Sequence, residues 1–97
     1  LEKNTKLYAV VKSNAYGHGL FVVPRVVQPY VDGFCVDSAT EAFALRNSGI
    51  RKPILVLGMT LPELLPQAYK EDISIAIATP EALQNILRSK HPPKFHI

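Results

Sequence analysis

Lys12 closes the apolar run Ala9-Val10-Val11, and Tyr16 follows four residues later, with Gly17 and Gly19 on either side of His18. A buried strand has no use for an ammonium group, and a solvated loop has none for Ala-Val-Val, so the lysine sits at the junction of the two. An amine held at the apolar end of a strand loses hydration, which favours its neutral form. A neutral amine attacks aldehydes and forms a Schiff base. Tyr16 offers an uncharged hydroxyl to a phosphate oxygen, and the glycines let backbone come close to a ligand. Lysine and loop together describe a cradle for a phosphorylated aldehyde. The plainer alternative is a lysine that snorkels to solvent from a strand end. A Walker loop is excluded, since Gly-Lys-Ser/Thr is absent.

The elements that must position this lysine can be read from the apolar pattern. Leu7–Val11, Phe34–Val36, Ile54–Leu57 and Ile73–Ile77 are short apolar runs, and Phe95-His96-Ile97 opens a fifth. Short runs rich in Val and Ile suit strands buried on both faces, as in parallel sheets. Between them lie helical segments. Ser38 with Glu41 three residues on forms a capping box for a helix running to Asn47, and Gly49 is its stop. Thr79 caps a last helix with Pro80 at its first position. Leu61–Tyr69 carries Pro62 and Pro66, so its helix either kinks or starts late. Leu20–Val31 carries Pro24 and Pro29 and is either a broken helix or irregular.

Strand and helix thus alternate four times before a final strand, an α/β pattern with parallel strands and right-handed crossovers. An open doubly wound sheet and part of a (β/α)8 TIM barrel both satisfy it. The repeat, roughly 20 to 25 residues, suits a barrel of about 250 residues, of which this would be about the first half. No Gly-x-Gly-x-x-Gly follows the first strand, which counts against a dinucleotide fold. In both architectures ligands meet the C-terminal ends of the strands, where Lys12, Asp37 and Leu57-Gly58 converge.

The totals narrow the function. The chain has 97 residues and a formal net charge of +3, with basic residues scattered and only Arg51-Lys52 adjacent among the interior ones. This gives no footprint for nucleic acid. No apolar stretch approaches the roughly 20 residues that span a bilayer, and the first residues have no signal-peptide core. The single cysteine, Cys35, cannot pair internally or build a metal site alone. It points to a reducing compartment and reads as a small buried side chain between Phe34 and Val36. Both ends read as cut, the last residues looking like the start of a strand.

The stretch AVVKSNAYGHG resembles the pyridoxal-phosphate lysine segment of bacterial alanine racemases. EAFALRNSGI (Glu41–Ile50) and PILVLG (Pro53–Gly58) resemble that family's next segments, in the same order and near the same spacing, and Phe95-His96-Ile97 resembles the entry to its next strand. Nearly the whole chain is covered. The resemblance implies the first half of an N-terminal pyridoxal-phosphate-binding (β/α)8 barrel over residues 1–97, with the C-terminal β domain absent. It implies a cytoplasmic homodimer that interconverts L- and D-alanine for peptidoglycan precursors, with no membrane or nucleic-acid partner and no metal.

By the same resemblance, Lys12 matches the lysine that holds the cofactor and acts as one of two bases at Cα, the one serving the D-isomer. Tyr16 matches the tyrosine that bonds the cofactor phosphate. Leu57 matches the leucine packed near the cofactor ring; a plain core leucine is the alternative. Asn14 and His18 take no role, His18 reading as a loop histidine. Asp37 stands where the family has a small apolar residue, and reads as an acid at a helix N-terminus or a polar neighbour of the site.

The sequence departs from the family at Pro24 and Pro29, in a segment that is normally a regular helix. The span from Lys12 to Glu41 is also one residue short. The arginine facing the pyridine nitrogen, the other phosphate ligands and the second base, a tyrosine from a second subunit, are not among these residues. Racemisation removes a proton from one face and returns it on the other, so these residues alone should not racemise. Half a barrel with open edges should also be marginal, oligomeric or aggregation-prone by itself. Three rivals are a non-catalytic pyridoxal-phosphate barrel protein, a racemase acting on serine or on many amino acids, and a structural half-barrel without ligand. The first carries Thr-Lys-Pro after its lysine as this family is known, where Ser13-Asn14-Ala15 stands here.

Overall fold

The computed structural model describes residues 6–11 and 26–96. Five strands form one parallel sheet: β1 (Tyr8–Val10), β2 (Gly33–Val36), β3 (Ile54–Val56), β4 (Ile73–Ala76) and β5 (Phe95–His96). Three helices follow β2, β3 and β4: α1 (Ala39–Asn47), α2 (Leu65–Lys70) and α3 (Pro80–Arg88). The strand order is β1-β2-β3-β4-β5. A doubly wound sheet reverses direction at a switch point, whereas here every strand is added beside its predecessor in one direction, the progression of a barrel.

The register sorts the side chains. Phe34 pairs Ile54 and Ile54 pairs Ile73, while Val36 pairs Val56 and Val56 pairs Ile75. These residues share one face and are buried with Ala42 and Leu45 of α1, Leu65 and Ala68 of α2, and Ile86 of α3. Fully burying side chains of this size contributes about 1.5–3 kcal/mol each. Cys35, Leu55 and Ser74 pair across the opposite face. Only β2 is buried along its whole length; β3 and β4 alternate between buried and half-buried residues, and Val10 is 59% exposed. The expectation of strands buried on both faces therefore holds for β2 alone. A barrel interior is filled by side chains from strands on its far side, and five strands leave that face open.

The helix ends follow local chemistry. The Ser38 hydroxyl accepts from the Glu41 amide at 3.3 Å while the Ser38 amide donates to Glu41 Oε1 at 2.9 Å, the reciprocal capping box. Gly49 takes φ 101°, the left-handed turn that stops α1. Thr79 Oγ1 accepts from the Ala82 amide at 3.1 Å with Pro80 opening α3. Of the two readings of Leu61–Tyr69, the late start is the observed one. Pro62–Leu64 is a 3-10 turn and α2 begins after it, so Pro66 falls in the first turn and no kink is needed. Of the Leu20–Val31 segment, Pro24 lies outside the described residues, while Pro29 sits inside a 3-10 turn, Gln28–Tyr30.

Candidate functional site at the C-terminal ends of the strands

Backbone pairing carries each strand to the level of the site. The Val11 amide donates to the Cys35 carbonyl at 2.9 Å, and the Leu57 amide to the Val36 carbonyl at 2.8 Å. The described chain reaches this level at Val11, one peptide bond from Lys12. Lys12, Tyr16, Asn14 and His18 lie outside the described residues. Leu57 and Asp37 do not, and the structure brings their turns together at the ends of β3 and β2.

Leu57 is 47% exposed and lies outside the buried core. Among the described residues the side chain therefore does not act as a core leucine; it sits beyond the last ladder position of β3. Leu57 and Gly58 line a cavity of about 230 Å³ that continues over Thr60, Leu65, Ala76 and Ile86. The wall is mostly apolar. Asp37 is exposed and directly precedes the Ser38 cap, in keeping with the acid at a helix N-terminus. Its carbonyl packs so closely on Gly58 that a Cβ there would run into the carbonyl oxygen.

Two buried side-chain oxygens among the described residues have no hydrogen-bond partner, Glu41 Oε2 and Thr60 Oγ1. Both belong to this end of the sheet: Glu41 in the first turn of α1, Thr60 three residues past Leu57. Buried polar groups are usually satisfied, so each of these oxygens awaits a partner beyond the described residues. Glu41 is legible in the sequence only as a cap. Thr60 carries no sequence signal, since a lone threonine in a loop has no spacing to read.

This tests whether a flat aromatic aldehyde with a phosphate fits. Such a ring needs an apolar wall and few, directed polar contacts, and the half-exposed Leu57 offers the wall. The described residues fit the group on that side, while its anchor and phosphate contact were read at Lys12 and Tyr16.

The family model described as "Alanine racemase, N-terminal domain" matches residues 1–97. The chain belongs to the alanine racemase N-terminal domain family. An alanine racemase of Streptococcus equi subsp. zooepidemicus is 48% identical over 84 residues, 87% of this chain and 23% of that protein. One from Streptococcus mutans is 49% identical over 78 residues, 80% of this chain and 21% of that protein. The crystal structure of alanine racemase from E. faecalis superposes with a TM-score of 0.86 at 35% identity, covering 99% of this chain and 28% of that one. The Bacillus anthracis alanine racemase solved with bound L-Ala-P gives 0.84 at 30% identity, covering 100% of this chain and 26% of that one. The chain thus spans about a quarter of the length of the curated relatives it matches. Its parallel strands and the helices among the described residues are those of a partial alanine racemase (β/α)8 barrel.

The opposite end of the sheet is built differently. Arg46 of α1 donates from Nε to the Glu71 carbonyl at 2.9 Å and from Nη1 to those of Ile50 and Lys52 at 3.1 and 2.7 Å. Its Nη2 donates to the Asp72 carbonyl at 2.9 Å. Burial pulls the Arg46 guanidinium pKa down, with the Asp72 and Glu71 charges opposing. It stays charged regardless, because an arginine has several units to spare. Asp72 holds φ 55° to present that carbonyl. At β1 and β2 the Leu7 amide donates to Asp32 Oδ2 at 2.6 Å and the Asp32 amide to the Leu7 carbonyl at 2.6 Å. The Tyr8 ring lies over Gly33, where a Cβ would come within 2.5 Å of it.

Proposed function

We propose that this chain forms the first half of the cofactor barrel of a pyridoxal-phosphate-dependent racemase that interconverts L- and D-alanine. The observation that carries this reading is the family match over residues 1–97. Lys12 would hold the cofactor covalently, Tyr16 would donate to its phosphate, and Leu57 would wall its ring. When bound, that cofactor supplies an electron sink for the carbanion left at Cα.

The chain's own part is binding and proton transfer. In the complete barrel the apolar side chain of Leu57 would help keep water from the amine, and desolvation favours an amine's neutral form. Lys12 then takes or returns the α-proton on one face, for the D-isomer. The opposite face needs a second base from outside these residues, in our reading a tyrosine of a second subunit in a homodimer. The 97 residues alone are therefore inactive, and the complete protein adds the rest of the barrel and a C-terminal β domain. The reaction would serve peptidoglycan precursor supply in the cytoplasm.

The test is an assay of the full-length protein with L-alanine, D-alanine being read by a D-specific oxidase, with and without added pyridoxal phosphate. Conversion that depends on the cofactor supports the reading. No conversion by the loaded, folded dimer overturns it.

A further inference from the structure

We infer that Gly58 is a positioning residue for the cofactor-binding mouth, acting through the Asp37 carbonyl to set where Leu57 stands; this rests on the function proposed above. The Leu57 amide is fixed by the Val36 carbonyl at 2.8 Å, which aligns the ends of β2 and β3. The residues that continue the two strands, Asp37 and Gly58, are then forced into contact. The Asp37 carbonyl occupies the space a Cβ at Gly58 would need. That obstacle is backbone, not the flexible tip of a side chain, so it yields only if one of the two turns moves.

The turns in question carry the site. On one side Asp37 leads straight into the Ser38 cap and Glu41, whose Oε2 is buried without a partner. On the other, Gly58 lies between Leu57 and Thr60, which line the cavity together. The clash pushes the Leu57 wall and the Thr60 hydroxyl away from the end of β2. Gly58 has no positive φ to explain its type; close approach of the backbone is the reason for glycine here.

Gly33 supplies the control. It too is crowded, a Cβ meeting the Tyr8 ring at 2.5 Å and the Pro53 carbonyl at 2.7 Å, but it lies at the N-terminal end of β2. Both substitutions strain the sheet, and only one strains the mouth.

The experiment uses full-length protein as wild type, Gly58→Ala and Gly33→Ala. Pyridoxal phosphate is titrated by protein fluorescence quenching, the absorption maximum of the bound cofactor is recorded, and the apo-protein melting temperature is measured for each. The inference expects both variants to melt lower. Gly58→Ala should bind the cofactor at least tenfold more weakly or shift its absorption maximum, while folded Gly33→Ala keeps the wild-type values. Wild-type affinity and spectrum in Gly58→Ala overturn it, as does cofactor loss in both variants in proportion to the drop in melting temperature. If Gly58→Ala fails to fold, Asp37→Gly, which keeps the carbonyl but loosens the turn that holds it, is titrated in its place under the same criteria. A folded wild type that takes up no cofactor overturns the proposed function itself, an outcome separable from the others by the wild-type titration.

Discussion

At the N-terminal ends of the strands one guanidinium satisfies four carbonyls, and Asp32 and Leu7 close β1 onto β2. At the C-terminal ends Glu41 Oε2 and Thr60 Oγ1 are buried without partners, Leu57 stands half in solvent, and an apolar cavity opens beside it. Each satisfied carbonyl adds stability, and each orphan costs on the order of 1–3 kcal/mol. The function proposed above puts the site at this poorer end of the sheet, where a ligand would recover such a cost. This is the barrel division of labour, with stability below and chemistry above.

Lys12 is where the two ends of the sheet should differ most. Lys12→Ala in the full-length protein should cost racemisation by at least ~10³-fold, within the range of a lost proton-transfer group, and leave the melting temperature of the cofactor-free protein nearly unchanged. A large drop in the melting temperature of the cofactor-free protein would make Lys12 structural. Arg46→Ala should do the reverse, losing about 2–3 kcal/mol in a denaturant titration while turnover per folded molecule stays the same. Leu57→Ala comes next. Because the side chain is 47% exposed, its stability loss should stay near 1 kcal/mol, with a several-fold weaker hold on pyridoxal phosphate by fluorescence titration.

Cys35 lies between the two ends, and burial pushes its thiol pKa up. Alkylation at pH 8 should therefore be slow in the native protein and fast in denaturant. The linkage has a definite sign. The contribution of Cys35 is intact below the ordinary thiol range and is lost as pH rises through it, because the unfolded thiol releases its proton first. The smallest effect belongs to Lys94, whose ion pair with Asp72 at 3.5 Å is 76% and 73% exposed. Lys94→Ala should leave the melting temperature unchanged within error.

What was legible in the sequence was local. Ser38 with Glu41, and Thr79 with Pro80, announce helix starts because the bonds span three residues. The α/β alternation gave the class, and the choice of barrel over open sheet needed the strand order. Pro62 and Pro66 allowed two shapes until the 3-10 turn decided between them. Arg46 was invisible as a clamp, since two of its acceptors lie 25 and 26 residues away. Gly58 was visible as a strand end, but the carbonyl that demands glycine comes from another strand's turn. Lys12 and Tyr16 were read entirely from sequence, and their positions are outside the described residues.

Covalent trapping tests the central claim most directly. The full-length protein is mixed with pyridoxal phosphate, reduced with borohydride, digested and mapped by mass spectrometry, with Lys12→Ala beside it. The account predicts one modified residue, Lys12, and no adduct in the variant. Label scattered over surface lysines in the folded full-length protein would contradict it and return Lys12 to an ordinary strand end.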